Sequence, residues 1–172
     1  MRELNELEKF KTAVDISLDA ILAVDEGGRI TLWNRAAGLM FGYSEAEAAG
    51  GSIEIIIPDE YREAHRKGME RFLATGETKV IGKTVELEGL RKDGLKFPVE
   101  LSLSAEKLDG SWMFIGVIRD MTIRRRLENE LEQRLTEMER MNKVMVGREL
   151  KMEELRQEVR RLRSVCERTK GR

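Results

Sequence analysis

The chain has 172 residues, 41% hydrophobic and 37% charged, which is enough apolar material for one core and more charge than one compact globule needs. The charge is unevenly laid, with 15 Lys and Arg against 10 Asp and Glu over residues 121–172 and 16 against 22 before them, so an acidic segment leads into a basic one. No apolar run approaches the roughly 20 residues of a membrane-spanning helix, the charged start MRELNELEKFK is no secretory signal, and the single cysteine, Cys166, excludes a disulfide framework or a thiolate zinc site.

In chain order, residues 1–17 read as a charged N-terminal helix. Residues 18–122 read as one domain whose strands are set apart by glycine turns at EGG (26–28), KDG (92–94) and LDG (108–110). Glycine supplies the positive φ that tight hairpin turns demand. The first turn separates AILAV (20–24) from RITLW (29–33). About 45 residues of helical character follow. Asn34 stands as an N-cap before RAAGLMFG, Ser44 and Glu47 form a capping-box pair, and Pro58 opens DEYREAHRKGMERFLATG, which Gly76 stops. In that last helix Tyr61, His65, Met69 and Phe72 fall on one face. Three further strands are expected at 79–90, 95–105 and 111–120. In the middle one Phe97, Val99, Leu101, Leu103 and Ala105 alternate with Pro98, Glu100, Ser102 and Ser104, which predicts one buried and one wetter face. The fold class that follows is α+β, a five-stranded antiparallel sheet with helices covering one face.

Residues 123–172 read as a single long helix. With Leu131 at heptad position a, the later a positions are Met138, Met145, Met152, Val159 and Cys166. The d positions are Leu127, Arg134, Met141, Arg148, Leu155 and Leu162, with the two arginines as defects. A parallel homodimer is the expected way to bury this stripe. Its methionines adapt to alternative packings, so the seam is expected to shift in register or rotation.

These pieces together resemble the PAS sensory domain from about Thr12 to Arg126. The strongest likeness lies in ITLWNRAAGLMFGYSEAEAAG (30–50), RKDGLKFPVEL (91–101) and GVIRDMTIRRRLE (116–128). The last segment resembles the Asp-Ile-Thr element at which a PAS sheet passes into its output helix, here Asp120-Met121-Thr122. The resemblance implies a signalling junction at Asp120 and Thr122, where a carboxylate and a hydroxyl cap the start of the helix. It also implies a cavity for a ligand or cofactor. Residues 57–101 resemble the haem-binding PAS domains of oxygen-sensor kinases. In those, His65 would be the axial iron ligand and Arg71 the partner of a haem propionate. The sequence departs from them at Val85, where the family has a distal arginine. The alternative for His65 is a half-buried histidine hydrogen-bonded within the fold. Non-covalent flavin, with Trp33 near the cavity, is a further option, but the light-sensing flavin class needs a cysteine that Cys166, far along the coil, does not supply. A small metabolite or no ligand at all completes the range.

Catalysis is not expected. The coil holds no phospho-accepting histidine, no nucleotide-binding glycine pattern follows it, and no cyclase signature is present. Residues 135–162 resemble the linker after PAS domains in bacterial sensor kinases, so the output is expected in a partner or a parent kinase. A basic helix on a dimeric coil could bind DNA. Here, however, Arg124–Arg126 and Arg160, Arg161 and Arg163 are interleaved with glutamates, as on a solvated face. The expectation is a cytoplasmic sensory module that binds a small ligand and signals through a dimeric coiled coil. The rival expectation is a ligand-free dimerisation scaffold.

Overall fold

The computed structural model describes residues 2–170, with side chains from residue 8 to 161 and at Glu6. The chain divides into two units, residues 1–123 and 124–172. The first holds α1 (Arg2–Asp15), β1 (Ala20–Asp25), β2 (Ile30–Trp33), α2 (Arg35–Phe41), α3 (Glu45–Ala48), a 3-10 turn (Ile53–Ile56), α4 (Asp59–Thr75), β3 (Thr84–Leu90), β4 (Lys96–Leu108) and β5 (Ser111–Asp120). α5 (Thr122–Lys170) follows, and from Arg124 onward it belongs to the second unit.

All five strands form one antiparallel sheet in the order β2-β1-β5-β4-β3. The last strand is therefore central, held by β1 on one side and β4 on the other. The three predicted turns are present, with Gly28, Gly94 and Gly110 at φ 73°, 85° and 90°. The expected capping devices also form. Asn34 Oδ1 accepts from Ala37 N, and Ser44 and Glu47 cap each other. The expected strand over 79–90 begins only at Thr84. Thr78 Oγ1 accepts from the amides of Val80 and Ile81, and this local side-chain bonding competes with strand pairing. β4 runs to Leu108, three residues past its expected end.

The core lies between the sheet and the helical excursion. Alternation along β4 buries Phe97 and Val99, half-buries Leu101, Leu103 and Ala105, and leaves Ser102 and Ser104 exposed. Phe72 of α4 meets the rings of Trp112 and Phe114 on β5 at 4.9 and 5.4 Å. Phe41 stands between Trp33 and Phe97 at 5.7 and 5.6 Å. Gly89 makes that packing possible, because a Cβ there would come within 3.1 Å of Phe97 and Val99 and 3.3 Å of Phe41. Trp33 is a packing residue, 4% exposed, and its indole N–H donates to the Tyr43 carbonyl. Tyr61 departs from the expected buried face of α4. It is 46% exposed, and its hydroxyl donates to Glu88 at 3.1 Å.

α5 is one helix of 49 residues, about 70 Å long at 1.5 Å per residue. In the single chain its stripe faces solvent, with Leu131, Met138, Met141, Met145, Met152, Leu155 and Val159 all at least half exposed. The side chains of Leu162 and Cys166, expected at d and a, lie outside the described residues. Glutamates four residues on neutralise two of the first arginines, Arg124 with Glu128 and Arg126 with Glu130. No described helix is long and apolar enough to cross a membrane.

Candidate functional site

β5 ends at Asp120, and α5 begins two residues later. Asp120 Oδ1 accepts the Thr122 amide at 2.8 Å, a local carboxylate-to-backbone bond that fixes the turn into the helix. The Met121 amide donates to the Pro98 carbonyl at 2.9 Å, and the Met121 side chain is buried. The other carboxylate oxygen, Oδ2, accepts Arg91 Nη2 at 2.6 Å. The expectation of capping at this junction rested on Asp120 and Thr122 together. The structure gives the capping oxygen to Asp120, while Thr122 contributes its backbone N–H.

Arg91, which sequence reasoning did not single out, holds the centre of this junction. It stands at the end of β3, just before the 92–94 turn. Nη1 donates to the Met40 carbonyl of α2 at 2.5 Å, and the guanidinium lies 4.0 Å over the Phe97 ring. Its Nε is buried and has no hydrogen-bond partner among the described residues. The next residue, Lys92, donates its amide to the Phe41 carbonyl at 2.9 Å. One side chain thus ties α2, the β3–β4 hairpin and the end of the central strand. Both members of the ion pair are only 26% and 30% exposed, so the pair is less screened than a surface salt bridge.

The opposite side of β5 is anchored as well. Arg119 grips Asp19 through two bonds of 3.0 and 2.7 Å. Hydrogen bonding from Arg119 holds the Asp19 carboxyl below its usual range, with burial acting in the opposite direction. Asn34 joins this end from within. Its amide donates to the carbonyls of Val14 and Asp19, and its Oδ1 accepts the Ile21 and Ala37 amides. A buried asparagine so fully used fixes the entry of the chain into β1 relative to α2.

His65 is half-buried on α4. Burial pushes its imidazole below the ordinary 6.5, while the charge of Glu54 pulls the other way. Arg71 is exposed, and the contact found at that residue is its carbonyl accepting Thr75 Oγ1. Val85, half-buried, pairs with Leu101 across the β3–β4 ladder.

The PAS domain family matches residues 18–122, about three fifths of the chain. The chain belongs to the PAS domain family.

An uncharacterized protein of Azorhizobium caulinodans is 39% identical over 69% of this chain, and the sensor protein FixL of Bradyrhizobium diazoefficiens is 32% identical over 70%. The oxygen sensor protein DosP of Escherichia coli is 23% identical over 80%. The matched segments make up only 17%, 24% and 17% of those proteins. Among solved structures, the PAS domain of an HTR-like protein from Haloarcula marismortui has a TM-score of 0.53 at 25% identity. It covers 69% of this chain and 94% of its own. The chain thus carries a PAS domain related to those of sensor proteins.

The two residues that the haem resemblance implies both lie on α4. His65 and Arg71, six residues apart on one helix, point about 120° apart around its axis, and Arg71 faces water. Val85 offers no hydrogen-bond donor. The Phe72, Trp112 and Phe114 rings pack edge to face between α4 and β5. The alternative expected for His65 is only half met. The residue is half-buried, but no hydrogen bond of its imidazole is found among the described residues. Nearer the β3 edge the inward row is less covered. Val85, Leu101 and Leu103 are half-buried, and Leu87 is 47% exposed.

Proposed function

We propose that this PAS domain is a sensory input unit that passes its state to α5 through Arg91, Asp120 and the Thr122 amide. The observation that carries the reading is the double use of Asp120. One oxygen holds the start of α5, and the other holds an arginine that also bonds α2 and stacks on the core ring Phe97. A small apolar ligand meeting the partly covered row of Val85, Leu87, Leu101 and Leu103 would press on the same hairpin that carries Arg91. Movement of the hairpin would then load or release the Asp120 carboxylate. Two arrangements need differ by only a few kcal/mol for a ligand to select between them.

In this reading the stripe from Leu127 to Cys166 pairs in parallel with a second copy, and the output belongs to a partner or a further domain such as a histidine kinase. Support comes from relatives such as the cell-division control histidine kinase PdhS of Brucella, 29% identical over 78% of this chain. The chain itself acts in signalling rather than catalysis, in the cytoplasm.

Native mass spectrometry with an absorption spectrum of the purified chain tests the proposal. A mass of two chains, with or without a bound small molecule, is expected, and single chains would contradict it. A Soret band lost in His65→Ala would establish haem at His65. The close packing of Phe72 on Trp112 and Phe114 favours a second reading, a dimerisation scaffold without ligand. An empty dimer whose coil is unaltered in Asp120→Ala would select that reading.

A further inference from the structure

Thioether sulfur is unevenly placed along the chain. Met40 and Met69 pack against the core, Met113 is half-buried, and Met121 is 3% exposed. Met138, Met141, Met145 and Met152 of α5 are 66%, 65%, 59% and 53% exposed. Among the described residues these four are the exposed methionines, and they share one short stretch of a single helix.

Their spacing sets them on one side of that helix. Steps of three, four and seven residues, at about 100° per residue, keep all four within roughly 60° of arc. Two arginines, Arg134 and Arg148, occupy seam positions on either side of Met138, Met141 and Met145, and Met152 comes next. Between the two arginines every apolar seam position is therefore a methionine. Leucine there would be inert to mild oxidants. A thioether instead takes up an oxygen atom and becomes a polar, chiral sulfoxide, and its susceptibility follows its exposure.

We infer that Met138, Met141, Met145 and Met152 form a modification site for hydrogen peroxide, through which oxidation opens the coil. At each residue the sulfur lone pair attacks one peroxide oxygen, the O–O bond breaks and an S–O bond forms. The departing hydroxide takes the proton of the transferred hydroxyl and leaves as water. Sulfur is oxidised by two electrons and the peroxide is reduced by two. Sulfoxides at these positions leave the stretch between Arg134 and Arg148 with no apolar seam residue. The effect on pairing rests on the dimeric reading of α5. Pairing would shield the sulfurs, so oxidation takes the single chain and draws the equilibrium away from the dimer.

The test treats the full chain with graded hydrogen peroxide and locates each sulfoxide by peptide mass spectrometry. Oxidation at the four α5 methionines is expected to run roughly tenfold or more ahead of Met40, Met69, Met113 and Met121, as their exposure dictates. Equal rates overturn the site. Sedimentation over a dilution series then compares the oxidised wild type with the variant Met138→Leu/Met141→Leu/Met145→Leu/Met152→Leu after the same treatment. The oxidised wild type should dimerise roughly tenfold or more weakly than the untreated chain, while the leucine variant keeps its affinity. An unchanged dimer in the oxidised wild type, or an equal loss in the leucine variant, overturns the switch. A wild type that is monomeric before treatment overturns the dimeric reading and the switch with it, even where the four sulfurs react first.

Discussion

At the scale of single residues, function is concentrated where one side chain serves several elements. Arg91→Ala removes the partner of Asp120 Oδ2 and of the Met40 carbonyl together. A loss of about 1–3 kcal/mol is expected, the range for a partly buried charged hydrogen bond, measured by urea unfolding. Arg91→Lys should recover little of it, because an ammonium cannot bond two acceptors in a fork while stacking on Phe97. Gly89→Ala should cost about 1–3 kcal/mol by overpacking, since its methyl would press on Phe41, Phe97 and Val99 at once. His65 gives a pH dependence of definite sign. Its folded value lies below the ordinary 6.5, so the unfolded chain binds the proton more readily and stability falls as pH drops below 6.5. The slope is at most about 1.4 kcal/mol per pH unit. It should vanish in His65→Gln over the range from 6.5 to about 5.5, above most carboxylate titration. An unchanged slope would remove His65 as its source. Asp120 was legible in the sequence because a carboxylate just before a helix has a known task. Arg91 was not, because its partner lies 29 residues away and only folding brings the two together.

At the scale of elements, the sequence was most readable where chemistry is local. Asn34, the Ser44–Glu47 pair and the turn glycines act on backbone within a few residues, and each appears as expected. The start of β3 was misplaced because Thr78 captured two amides that strand pairing would have used. Tyr61 left its helical face for Glu88, a partner that periodicity cannot announce. The heptad of α5 is a sequence pattern whose consequence lies in another chain. Met145→Lys places a charge at the middle of that stripe, at a position 59% exposed in the single chain. It should leave the first unit folded while weakening the dimer by tenfold or more. Equal affinity for the two chains would place the contact elsewhere.

At the scale of the whole molecule, the proposed signal route rests on the sheet order. β5 is central, held by β1 on one side and β4 on the other, and its end leads into α5. That end is clasped from both sides, by Arg119 with Asp19 and by Arg91 with Asp120. Family membership and the five-stranded sheet could be read from the sequence because they rest on alternation and turn chemistry. The haem expectation at His65 and Arg71 could not be settled that way, since it depends on which face of α4 each residue takes and on which rings fill the interior. The central claim is that Arg91, through Asp120, holds the beginning of α5. Hydrogen exchange at the amides of residues 121–127, compared between wild type and Arg91→Ala, tests it most directly. Removal of a side chain on a separate hairpin should speed their exchange by roughly tenfold, the equivalent of about 1.4 kcal/mol of lost local stability. Exchange as slow as in the wild type would contradict the account.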